Sequence, residues 1–149
     1  MAQTYIGSTL RTGSGTLTDT TDGGYVVVSQ TTTVTTVAAG TAVSATLTLP
    51  ASSQIINFFV DVVQLGVVGG GTATTIPVTI GTAAAGTQYL SSTNTISGGR
   101  VALTFTAAQL AAMANIGTSQ SVVITVDPNG TVSTTQSIIR LTVVYAQKV

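Results

Sequence analysis

Histidine, cysteine, glutamate and tryptophan are absent from this chain of 149 residues, and lysine occurs once, at Lys148. Without cysteine there is neither a disulfide framework nor a thiolate metal site, and the redox compartment cannot be read. Enzymes most often draw acids, bases and nucleophiles from His, Cys, Asp, Glu and Lys, so the usual catalytic kit is reduced here to four aspartates. The sequence therefore predicts no catalytic residue, no cofactor-binding residue and no enzymatic activity.

Charge is equally scarce. Charged residues form 5% of the chain, against about a quarter in an ordinary globular domain. They are Arg11, Asp19, Asp22, Asp61, Arg100, Asp127, Arg140 and Lys148, and they sum to zero. Nucleic-acid binding takes most of its affinity from cations that neutralise phosphates, so four scattered cations exclude a nucleic-acid partner. A polybasic membrane-surface segment is excluded on the same ground. Disorder does not follow, because the chain is 44% hydrophobic with only three prolines. A neutral surface does little to hold two copies apart, which predicts a homo-oligomer or a subunit of a larger assembly.

Long apolar runs are missing too. The most hydrophobic stretch, "IINFFVDVVQLGVV", is interrupted by Asn57, Asp61 and Gln64, so it does not read as a membrane-spanning helix. The opening "MAQTYIGSTLRTGSG" shows neither the positive start nor the apolar core of a signal peptide. Four tyrosines and three phenylalanines are too few for the two aromatic girdles of a membrane barrel. No membrane partner is expected.

What is present is threonine, valine, glycine and serine in alternating patterns. Residues 1–24 are rich in Gly, Thr and Ser and poor in large apolar residues, and read as an extended N-terminal arm or docking segment that ends in the turn cluster "DTTDGG". From Tyr25 to the end, residues 25–149 read as one β-sandwich domain. "YVVVSQTTTVTTV" is a strand with Val26, Val28 and Gln30 on one face. In "TAVSATLTLP", Val43, Ala45, Leu47 and Leu49 alternate with Ser44, Thr46 and Thr48, one face buried and one wet. "QIINFFVDVVQLG" places Ile56, Phe58, Val60 and Val62 on one face and Ile55, Asn57, Phe59, Asp61 and Val63 on the other, so it is central or lies at a subunit contact.

Further strands are expected near residues 75–80, near 87–90 and over Val101–Phe105, with Pro77 marking an edge or a bulge. "SVVITV" and "STTQSIIRLTVVYAQ" flank "DPNG", which reads as a hairpin. About eight strands at this spacing predict an antiparallel sandwich.

One helix interrupts them, over residues 106–115 within "FTAAQLAAMANIG". Thr106 is its N-cap, Gln109 completes a capping box, Phe105 and Leu110 form a hydrophobic staple, and Leu110, Met113 and Ala114 share the apolar face. Asn115 or Gly117 closes it.

Few residues offer chemistry. Asp19 and Asp22 could give oxygen ligands to a calcium ion, but the pattern is not that of an EF-hand, and a turn in which Asp bonds backbone N–H groups is the favoured reading. "GVVGGG" lacks the Lys and Ser/Thr of a phosphate-binding loop. Asp127 reads as a turn former. Asp61, set in an apolar strand, calls for a partner such as Arg100 or Arg140 and reads as half of a structural pair. Phe58, Phe59 and Phe105 are assigned to the core.

Taken in order, "DGGYVVVSQTTTVTT", "IINFFVDVV", "TIPVTIGTAAAGTQYL", "GGRVALTFTAAQLAAMANIG" and "IIRLTVVYAQK" resemble small virion proteins of tailed bacteriophages, of the capsid decoration (cement) or head and tail fibre-base type. The resemblance implies a jelly-roll-like sandwich, a homotrimer, non-enzymatic structural work in the virion after assembly in the host cytoplasm, and a major capsid protein or neighbouring virion proteins as partners. A cement subunit would engage the shell through its arm and sheet edges. A fibre or spike-base protein would instead present "LGVVGGGTATT" and "AAAGTQYLSSTNTISGGR" to a host surface, with Tyr89 and Arg100 as contacts.

Overall fold

The computed structural model describes residues 11–12, 15–16, 25–66, 74–114, 118–131 and 136–148. Ten strands and one helix follow in chain order: β1 (Arg11–Thr12), β2 (Gly15–Thr16), β3 (Tyr25–Thr35), β4 (Val43–Leu49), β5 (Ser53–Gln64), β6 (Pro77–Gly81), β7 (Leu90–Asn94), β8 (Gly99–Val101), α1 (Ala107–Ala114), β9 (Gln120–Val126) and β10 (Ile138–Lys148). Strands β1 and β2 pair with each other, and the rest of the expected arm, with Asp19 and Asp22, lies outside the described residues.

The other eight strands form two antiparallel sheets, ordered β3-β10-β5-β8 and β4-β9-β6-β7. Every connection along the chain passes from one sheet to the other except β6 to β7. This interleaving is the jelly-roll order, so the expected all-β sandwich is present. Side-chain alternation explains why. In β4 the residues Val43, Ala45 and Leu47 are half-buried and Leu49 is buried, while Ser44, Thr46 and Thr48 are exposed. Inward residues of both sheets, among them Leu49, Phe58, Val60, Ile80, Ile124 and Leu141, form one core between them.

Strand β5 is central, but its simple alternation fails at two points: Val63 is an extra residue between Ile139↔Val62 and Ile138↔Gln64, and a second shift lies near the start of the strand. Opposite β10 the register runs from Val144↔Asn57 to Tyr145↔Ile55, so Ile56 is an extra residue. A one-residue bulge reverses the facing of everything beyond it. Ile55 is therefore buried and Ile56 exposed, the reverse of the expected assignment.

The "DPNG" hairpin is also corrected. A turn is there, but β9 and β10 belong to different sheets and do not pair. The turn instead bonds to the start of β6 and the connection before it: Asp127 N–H donates to Pro77 O and Asn129 N–H to Thr75 O, each at 3.0 Å. Three further bonds gather the other crossings at this end. Thr36 N–H donates to Ser137 O at 2.9 Å, Gly66 N–H to Ser137 Oγ at 2.8 Å, and Thr95 Oγ1 to Ile76 O at 2.7 Å. Thr36, Ser137 and Thr95 are buried, so these bonds remove the cost of placing hydroxyls in the interior.

Other boundaries shift. The strand expected near 87–90 runs from Leu90 to Asn94, and the one expected at Val101–Phe105 ends at Val101. Pro77 is the first residue of β6, which is an interior strand; the register irregularity lies just after it, between Val78 and Ile80.

Helix α1 begins as expected. Thr106 Oγ1 accepts from Gln109 N–H at 3.3 Å, and Gln109 Oε1 accepts from Thr106 N–H at 2.8 Å, a complete capping box. The buried stripe is different from the one expected. Gln109 and Met113 face inward, Leu110 is 52% exposed and Ala114 is exposed, so Leu110 is not held as a staple. Gln109 is buried because its amide is fully used, donating to Thr87 O at 3.2 Å and Ser91 Oγ at 2.9 Å. Those bonds tie the helix to β7 and the loop before it. No helix among the described residues is long and apolar enough to cross a membrane.

Candidate functional site

The outer face of the β3-β10-β5-β8 sheet carries three of the chain's eight charges in a single row. Register places Thr33 beside Arg140, Arg140 beside Asp61, and Asp61 beside Arg100, on four adjacent strands. Cross-strand neighbours on one face lie about 5 Å apart at Cβ, close enough for such side chains to meet. Arg100 grips Asp61 with two parallel bonds, Nε to Oδ1 at 2.7 Å and Nη2 to Oδ2 at 3.1 Å, and Arg140 Nη2 reaches Oδ2 at 3.1 Å. Both expected partners of Asp61 are thus engaged at once.

The two cations hold the Asp61 carboxyl below its ordinary value, the Arg100 hydrogen bond most strongly, against a smaller opposing effect of burial. The same bond pushes Arg100 up. A carboxylate held low with both oxygens occupied is a poor proton acceptor near neutral pH. The row is suited to positioning, not proton transfer.

Asp61 is 13% exposed at its side chain, while Arg100 is 61% exposed. Exposed pairs contribute about 0–1 kcal/mol, and the two-fold grip places this one at the upper end. Asp61→Asn is therefore expected to lower stability by about 1 kcal/mol near neutral pH. The pH dependence has a definite sign. A carboxyl whose folded pKa is depressed contributes stability that is complete above the unfolded value, 3.8, and is lost as pH falls through the folded one. Urea unfolding of both proteins should show their difference at neutral pH and its disappearance at a pH of about 2; an equal gap at both would refute the assignment.

Beside the row, β8 pairs only with Val60, Asp61 and Val62 of β5, and the chain then leaves the sheet. The departure opens a surface cleft of about 300 Å³ between β5 and residues 100–105. Its lining includes Asn57, Phe59, Arg100, Leu103 and Phe105. Asn57 Oδ1 accepts from Phe58 N–H at 2.8 Å, a local bond on the stretch of β5 that β8 does not cover. The Arg100 guanidinium lies over the Phe59 ring, 4.7 Å from its centre, and is held there by Asp61.

Two assignments are corrected here. Phe59 is a half-buried member of the outer face and not a core residue, as its parity with Asp61 foreshadowed. Tyr89, offered as a receptor contact, is 2% exposed; its ring packs 5.6 Å from that of Phe58, and burial raises its hydroxyl pKa. Arg100 remains at the surface. Asn57 was not singled out from sequence, because nothing local to "INFF" reveals where β8 stops. The "GVVGGG" loop is largely outside the described residues, and among those described no group of three or more His, Cys, Asp or Glu side chains could hold a metal.

Comparison with protein-family models, with curated proteins and with solved structures returned no match.

Proposed function

We propose that this protein is a non-enzymatic structural subunit of a tailed-bacteriophage virion, a decoration (cement) protein that self-associates, as a homotrimer, and stabilises the head by engaging the major capsid protein. One observation carries most weight. Strand β3 is an edge of its sheet, extends over eleven residues from Tyr25 to Thr35, and contains no charge, no proline and no register shift against β10. Natural sheets usually blunt such edges with lysine, proline or bulges, because free backbone groups invite another strand. An uncharged edge that pairs with no further strand among the described residues is what a subunit needs to join neighbours by backbone pairing. The exposed Tyr25 and Val27 on β3 itself give that contact apolar area.

Deletion of residues 1–20 tests the reading. Strands β1 and β2 form no ladder with the sandwich, so its cooperative unfolding should be retained. Attachment to capsids should fall by about tenfold or more, equivalent to about 1.4 kcal/mol. Unchanged occupancy on particles would overturn the arm's part in attachment, and loss of occupancy on Val27→Lys, which charges the β3 edge, is then the result the cement role requires.

A second reading, a fibre or spike-base protein that displays a surface for host attachment, is favoured by the exposed cleft at Arg100, Phe59 and Asn57. Copy number in purified particles separates the two: a shell-wide count supports cement, and a count confined to vertices or the tail supports the fibre.

A further inference from the structure

We propose that the cleft between β5 and residues 100–105 binds an acidic monosaccharide, a sugar ring bearing a carboxylate, with Arg100 and Asn57 as the polar contacts and apolar side chains as the floor. The inference does not depend on the cement role, and the experiments below read it separately.

Size limits the ligand first. Small-molecule sites run from about 300 to 1,000 Å³, and this cleft, at about 300 Å³, has room for one ring against its walls. Hydrogen-bonding capacity then selects its chemistry. A guanidinium has five N–H donors and no acceptor; Arg100 directs one from Nε and one from Nη2 at Asp61. The other N–H groups are left for a ligand. Asn57 has its carbonyl oxygen engaged by Phe58 N–H, so its free group is the donating NH2. The polar side chains that line the cleft, Asn57 and Arg100, therefore offer donors, and the complement is an acceptor-rich group.

Charge points the same way. Arg100 is the cation that lines the cleft, while Arg140 meets Asp61 from the other side, so the attraction for an anion comes from Arg100. Carboxylates are recognised by the planar guanidinium fork. With Phe59 covered by the Arg100 guanidinium, the remaining apolar walls at Leu103 and Phe105 suit the C–H face of a sugar ring, while the open side leaves its hydroxyls in water.

Two structural details support a built site. Arg100 is already fixed, by the bidentate grip of Asp61 and by stacking on Phe59, so little side-chain freedom is lost on binding. An extended peptide adding to the free edge of β5 is disfavoured, because the Phe58 N–H it would use is already bonded to Asn57.

Titration of the full-length protein with sodium glucuronate, followed by amide and side-chain NMR, tests the proposal. Saturable shifts at Asn57, Phe59 and Arg100 are expected with Kd of about 1 mM, the range for a ligand of this size. Glucose, lacking the carboxylate, and cyclohexanecarboxylate, lacking the hydroxyls, should each bind about tenfold more weakly. Arg100→Gln should weaken glucuronate about tenfold, while Arg140→Gln, which removes the same charge from a residue that does not line the cleft, should retain binding within about twofold. Asn57→Asp keeps the oxygen that serves Phe58 N–H but replaces the donor by an anion, and should abolish binding in a folded protein.

Absence of saturation at about 20 mM would overturn the proposal. So would equal losses in the two arginine variants, which would indicate diffuse attraction, or equal binding of cyclohexanecarboxylate, which would remove the sugar from the assignment.

Discussion

Phe58→Ala is expected to lower unfolding free energy by about 3–5 kcal/mol, the range for removing a large aromatic from a packed core. Phe58 is 2% exposed on β5, which lies between β10 and β8. Its ring meets Tyr89 at 5.6 Å and Phe105 at 6.4 Å, both tilted by about 40°, a geometry that favours aromatic pairs. These neighbours come from different places: Tyr89 precedes β7 in the opposite sheet, and Phe105 lies on the segment between β8 and α1. Truncation would thus leave a void shared by both sheets and by the entry to the helix, which rigid strands cannot close. Domains of this size hold about 5–15 kcal/mol in total, so the loss would be a large part of the whole. Urea unfolding measures it; a cost below about 1 kcal/mol would mean that the ring is not central to the packing.

Gly40→Ala is the second large effect, at about 2–4 kcal/mol. Gly40 has φ of 69°, and a Cβ built on it would collide with the backbone carbonyl of Gly130. That contact joins the β3–β4 crossing to the β9–β10 crossing. Because the obstacle is main chain, no side-chain rotation relieves it. Two effects are superimposed, a left-handed backbone that costs an L-residue about 1–2 kcal/mol and the steric separation of two loops. Gly99 provides the control. Its φ of 70° is nearly the same, yet nothing lies within 4 Å of an added Cβ. Gly99→Ala should therefore cost only the conformational part, about 1 kcal/mol. Equal thermal shifts for the two alanine variants would show that the loops part freely and that the Gly40 contact does not brace this end of the sandwich.

Phe58 was legible as core from its place among Val60 and Val62, whereas its contact with Tyr89 was not, since the two residues are brought together only by stacking the sheets. Asp61 is similar. A lone charge in an apolar strand announces the need for a partner, and the supply of cations narrows the choice to Arg100 and Arg140. That both are used depends on β5 lying between β8 and β10. The cleft was not legible at all, because it arises where β8 stops pairing after Val101, and no residue in "RVALTF" dictates that point. Asn57 and Phe59 acquire their surroundings from that departure.

By itself the sequence determined the local periods of this protein: the alternation that makes strands, the reciprocal Thr106/Gln109 cap that starts α1, and the near absence of charge over its length. These are decided by neighbours one to four residues apart, so local chemistry is enough. Only the tertiary structure decided which sheet each strand joins, that the "DPNG" turn spans two sheets, that the bulge at Ile56 exchanges faces, and that Gln109 is buried where Leu110 is not. A turn can reverse the chain equally well within a sheet or between sheets. Which of the two occurs depends on contacts far apart in the chain, where apolar burial and the pairing of buried polar groups outweigh local preference.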